Sequence, residues 1–134
     1  MLHELLASYL DKVERAVRQC GQAYVEHYVE EVLTPKRVNL RIRIRFASAL
    51  LLEISEAIII KDGRRVPLDY WYHCQDGSNR LVFRYDCTPH HPGLASFPHH
   101  KHVPAAVLPS TKPDIEHVVA EASAAAETAA EAGR

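Results

Sequence analysis

Residues 37–46 read RVNLRIRIRF, and no other stretch constrains the fold as tightly. Val38, Leu40, Ile42, Ile44 and Phe46 alternate with Arg37, Asn39, Arg41, Arg43 and Arg45. A period of two is the period of a β-strand, so the apolar groups share one face and the arginines the other. A strand of this kind belongs in an antiparallel sheet with one covered face and one open face. Something apolar has to cover the first face, and a helix is the usual cover.

The flanking segments supply both the sheet and the cover. LLLEISEAIII at 50–60 reads as a second strand, and Asp62-Gly63 in KDGR marks a tight hairpin turn. RVPLDYWYHCQ at 65–75 is a third strand, with Pro67 indicating an edge or a bulge. Residues 76–79, DGSN, turn the chain into RLVFRYDC. Upstream, QAYVEHYVEEVLT is ambiguous: Val25, Tyr28, Val29 and Val32 also fit a helical stripe. Its β-branched and aromatic content, and the Thr34-Pro35-Lys36 turn, favour a strand. The sheet therefore spans about 24–87 in roughly five strands. Leu2, Leu5, Leu6, Tyr9, Leu10, Val13, Val17 and Cys20 form an apolar stripe on a helix over 2–20, which Gly21 ends.

A second helix is expected over 113–134, capped by Thr111 and opened by Pro113 and Asp114. Ile115, Val118 and Val119 can pack. Beyond Ala124 the segment is nearly all Ala and Glu, so this end is expected to project or fray. The fold class is α+β: an antiparallel meander with the N-terminal helix packed on one face, residues 1–112 forming one domain and the C-terminal helix following it.

No run of about 18 apolar residues occurs, so no transmembrane helix is expected. The N-terminus lacks the basic-then-apolar order of a signal peptide. Cys20, Cys74 and Cys87 show no metal-ligand spacing, and an odd count argues against a disulfide framework. A cytoplasmic location is the expectation. Residues 36–102 carry eleven basic and six acidic side chains, whereas both ends are acidic. A basic middle suits a polyanionic partner.

Six of the nine histidines lie between His73 and His102, and SFPHHKHVP at 96–104 holds the densest group. The segment 88–104 reads as a His-rich loop stiffened by Pro89, Pro92 and Pro98. Three chemistries fit it. Metal binding by His100 and His102 with His90 or His91 is one. Lys101 inside the group and the lack of acidic residues between Asp86 and Asp114 weigh against it. A structural role in capping and stacking is another. The third is metal-independent RNA cleavage, in which one imidazole takes the 2′-hydroxyl proton, another protonates the leaving 5′-oxygen, and cations hold the phosphorus centre. His99, His100, Lys101 and His102 contain every part, and no cofactor or metal is needed. The open sheet face is expected to bind the RNA through Arg41, Arg43, Arg45, Trp71, His73 and Arg80, with His90 and His91 beside it.

The ordered string LLEISE, YWYHCQD, RLVFRYD and HHPGLASFPHHKHV, over about 37–104, resembles the TumE family. Two places depart from it: Ala47-Ser48-Ala49, where an Asp-Gly type turn is expected, and Cys87, where a polar residue is usual. The resemblance implies the toxin half of a type II toxin–antitoxin pair, restrained by a cognate antitoxin that is often a small helix-turn-helix protein. RNA cleavage then follows by analogy of fold alone. In that reading Arg84 and Tyr85 face the HHKH segment and Asp86 orients a histidine. His100 and His102 act as base and acid, with Lys101 or His99 on the phosphate. The competing readings are a non-enzymatic module binding nucleic acid or protein, and a metal-dependent nuclease.

Overall fold

The computed structural model describes residues 1–132. Its elements are α1 (Glu4–Arg18), β1 (Ala23–Thr34), β2 (Arg37–Phe46), β3 (Leu51–Lys61), β4 (Arg64–Gln75), β5 (Leu81–Asp86), β6 (His100–Val103), β7 (Ala106–Pro109) and α2 (Ile115–Ala132). The seven strands pair in chain order, every pair antiparallel, as a meander. The sequence suggests about five. The other two are four-residue strands: β6 lies inside the expected loop, hidden by its prolines, and β7 lies just beyond it.

Both helices lie on one face of the sheet, and their apolar stripes meet that of β2. Leu6, Tyr9, Leu10, Val13, Ala16 and Val17 of α1 are buried with Ile115, Val118, Val119, Ala122 and Ala126 of α2. Beneath them lie Leu40, Ile42, Ile44, Leu52, Ile54, Tyr72, Cys74, Phe83 and Tyr85. Each large side chain withdrawn from water in this way contributes roughly 1.5–3 kcal/mol relative to leaving it exposed. Burial continues to Ala126 and the helix to Ala132, and residues 127–132 are exposed, as the Ala/Glu composition leads one to expect. Gly133 and Arg134, the last residues of the expected helix, lie outside the described residues.

The ambiguous upstream segment is strand β1, and a bulge explains its helix-like spacing. The pairing shifts between Val25 and His27, so Val25 faces Ile44 and Tyr28 faces Ile42. One extra residue turns a period of two into a step of three. Asp62 (φ 52°) and Gly63 (φ 70°) form the tight turn between β3 and β4. Between β2 and β3, Ala49 takes φ 66°, a left-handed conformation that an alanine holds at a cost.

One acidic group sits inside this apolar layer. Glu56 on β3 is buried, accepts hydrogen bonds from Tyr9 Oη at 2.6 and 2.9 Å and from Tyr72 Oη at 2.8 Å, and pairs with Lys112 Nζ at 3.3 Å. A buried carboxylate survives only when donors and a cation surround it. Here they tie α1, β4 and the segment before α2 to the centre of the sheet.

Candidate functional site

The opposite face of the sheet carries no helix among the described residues, and its chemistry follows from the register. One row across the strands is Arg41, Ser55, Trp71, Asp86 and His100; the adjacent row is His27, Arg43, Glu53, His73, Arg84 and His102. Residues directly opposite in an antiparallel pair point the same way. Two neighbouring rows thus gather basic, aromatic and imidazole groups on one surface.

Asp86 is the hub. Its Oδ1 lies 2.7 Å from His100 Nε2 and accepts from the Thr88 backbone N–H at 3.1 Å. Its Oδ2 accepts from Arg84 Nε at 3.0 Å, with His102 Nε2 at 3.7 Å. Burial opposes ionisation of Asp86, but Arg84, the Thr88 N–H and His100 outweigh it and hold the carboxyl below its ordinary range.

His100 is itself almost fully buried, and its Nδ1 donates to the Pro98 carbonyl at 2.9 Å. Its other nitrogen, Nε2, stands against the Asp86 carboxylate, so both ring nitrogens are occupied within the protein. Neither nitrogen is left for a substrate. His102 is more open, and His91 reaches in from the loop, with ring centroids 5.0 Å from His100 and 5.8 Å from His102. Burial, with His100, His91 and Arg84, pushes the His102 imidazole below its ordinary value despite the pull of Asp86.

Trp71 lies beside this group. The Arg41 and Arg84 guanidiniums stand 5.4 and 5.1 Å from its ring centre. A shallow depression of about 390 Å³ adjoins it, lined by His27, Arg41, Arg43, Glu53 and Trp71 among others. His27 gives no signal in the sequence, because the β1 bulge obscures which face it takes.

Several expected site residues lie elsewhere. Lys101 alternates with His100 and His102, so it points to the helix face. There its Nζ meets Glu121 of α2 at 2.5 Å, over the Tyr85 ring. Burial opposes the charge on Lys101, but Glu121 and Tyr85 more than compensate and raise its pKa. Tyr85 shares that face and donates to Glu121, so it does not meet the histidine pair. His99 stacks on Tyr70 and bonds its hydroxyl at 2.9 Å, on the same side. Of the three strand arginines, only Arg41 lacks an acidic partner among the described residues. Arg43 and Arg45 both donate to Glu26, the bulge residue of β1, at 2.8 and 3.2 Å. Arg80 is exposed at the turn and pairs with Asp76, His90 is exposed, and His73, in the second row, bonds the Gln75 side chain two residues on.

No helix of the described residues is long and apolar enough to cross a membrane. No curated protein and no solved structure matches the chain. A family model described as Toxin TumE matches residues 13–128. The matched span contains all seven strands, and with them both rows of the open face. It extends well beyond the 37–104 core where the resemblance is visible by eye, and it places the chain in the TumE toxin family, as the toxin component of a toxin–antitoxin system.

Proposed function

We propose that this toxin is a metal-independent endoribonuclease acting on the open sheet face. One observation carries the reading: the guanidiniums of Arg41 and Arg84 stand 5.4 and 5.1 Å from the Trp71 ring centre, Trp71 pairs with Asp86, and His102 and His91 lie alongside. An aromatic face accepts any base by stacking, and paired cations accept the adjoining phosphate.

In this mechanism His102 takes the proton from a ribose 2′-hydroxyl. The freed oxygen attacks the adjacent phosphorus, and the bond to the 5′-oxygen breaks as His91 supplies its proton. The products are a 2′,3′-cyclic phosphate and a free 5′-hydroxyl. Arg84 and Arg41 hold the phosphate charge, and Asp86 with His100 fixes Arg84 rather than moving protons itself. The partners are RNA and a cognate antitoxin, which we take to be a small helix-turn-helix protein, in the cytoplasm.

The test is incubation of chelator-treated protein with RNA, beside His102→Ala and His91→Ala. Each substitution is expected to lower cleavage about 10²–10⁴-fold, the usual span for a lost general acid or base. Equal cutting by the wild type and His102→Ala, or salt-sensitive binding without turnover, rejects the mechanism.

A further inference from the structure

We propose that His91, His100 and His102 form a binding site for a divalent transition-metal ion of the zinc class. One ligand nitrogen from each ring lies within 4.8 Å of the others, and the rings meet edge to face, with centroids 4.7–5.8 Å apart. Three imidazoles around one point are a transition-metal donor set; calcium and magnesium take oxygen donors instead.

The surroundings support the same ion. His100 gives its Nδ1 proton to the Pro98 carbonyl, the outer hold that metal-bound imidazoles use to aim the other nitrogen inward. That other nitrogen, Nε2, faces Asp86 Oδ1 at 2.7 Å. A tetrahedral zinc ion needs about 3.3 Å between ligand atoms, so this contact opens slightly as the ion enters, and the Asp86 carboxylate stands beside the three imidazoles. Two ligands stand on strand β6, and Asp86 is pinned by Thr88 and Arg84, so most of the set is rigid before the ion arrives.

Both objections visible in the sequence fall away. Lys101 points to the other face of the sheet and lies against Glu121. The missing carboxylate is supplied by Asp86 from the neighbouring strand.

The metal site stands independently of the nuclease reading, but its consequence rests on it. An ion here ties up the lone pairs of His91 and His102, which the proposed cleavage uses. Metal occupancy and cleavage are therefore exclusive, and zinc acts as an off-switch.

Chelator-stripped full-length protein titrated with zinc chloride is expected to bind one ion per chain, and cobalt(II) in its place to show the visible absorption of a tetrahedral ion. His91→Ala lies in the loop and spares the core; it is expected to weaken binding at least tenfold with an unchanged thermal unfolding curve. His117→Ala, on the exposed side of α2, is expected to bind as the wild type does. No stoichiometric ion, or equal affinity in His91→Ala, overturns the site. In the cleavage arm, added zinc is expected to stop RNA cutting by the stripped protein. If zinc is instead required for cutting, the off-switch and the metal-independent mechanism both fail while the site stands. If the protein cuts no RNA with or without zinc, the nuclease reading fails and the titration alone decides the site.

Discussion

Lys101→Met separates two accounts of the most basic residue in the histidine segment. If Lys101 clamps a phosphate, its loss removes activity and leaves stability alone. The ion pair with Glu121 predicts the reverse. Both side chains are mostly out of water, with 20 % and 26 % exposed, and the ammonium stands 4.9 Å from the Tyr85 ring centre. Fully exposed pairs contribute about 0–1 kcal/mol, and breaking a fully buried one costs about 3–5 kcal/mol. An intermediate pair held by one charged hydrogen bond falls at about 2 kcal/mol. Methionine keeps the apolar stem, so the charge accounts for the difference. For a chain of this size that is a fall in Tm of roughly 7 °C. Thermal and urea unfolding of Lys101→Met, Glu121→Gln and the double variant measure it, and the double-mutant cycle is expected to show coupling of about 1–2 kcal/mol. RNA cleavage per folded molecule is expected to stay at the wild-type level. A variant as stable as the wild type that has lost cleavage refutes the ion-pair account.

The open face gives a second contrast: Trp71→Ala is expected to weaken single-stranded RNA binding by about 1–3 kcal/mol in fluorescence anisotropy, with Arg41→Ala lowering the salt slope by about one charge. Arg45→Ala is expected to change binding little, because Glu26 already neutralises that guanidinium. Lys112→Met leaves the buried Glu56 without its cation, and chemical denaturation is expected to show a loss of about 2–3 kcal/mol, tempered by the two tyrosine donors that remain. Ala49→Gly relieves the left-handed backbone at φ 66° and is expected to be neutral to about 1 kcal/mol stabilising by calorimetry.

The parts of the fold that could be read from the sequence are those governed by short-range periodicity. Alternation in RIRIRF sorts Arg41 from Ile42 without any partner strand. The i, i+3, i+4 stripe places Leu6, Tyr9, Leu10 and Val13 on one side of α1. Asp62-Gly63 announces its own turn. What could not be read depends on contacts far apart in the chain. Glu26 reaches Arg43 and Arg45 only because a bulge tilts β1, and Glu121 finds Lys101 only because α2 crosses the sheet. Register decides that Arg41, Trp71, Asp86 and His100 form one row, and a slip of one residue would send each strand's set to the other face.

The histidine segment was within reach of that same short-range rule. His-Lys-His is an alternating triplet, so once residues 100–103 are extended the two imidazoles must face one way and the ammonium the other. Four prolines nearby make the segment look like a loop, in which alternation carries no meaning. Pairing with β5 supplies the extended backbone and so gives the pattern its physical force. That division changes the chemistry available. With Lys101 among the imidazoles, their like charge would repel a metal ion and favour a bound phosphate. With Lys101 removed and Asp86 brought in, the same imidazoles gather around a buried carboxylate instead. Proton transfer at His91 and His102, and metal binding at His91, His100 and His102, then become competing uses of the same lone pairs. The nitrogen of His100 that faces Asp86 is where they part: held against the carboxylate it leaves His91 and His102 free, and on a metal ion it engages all three.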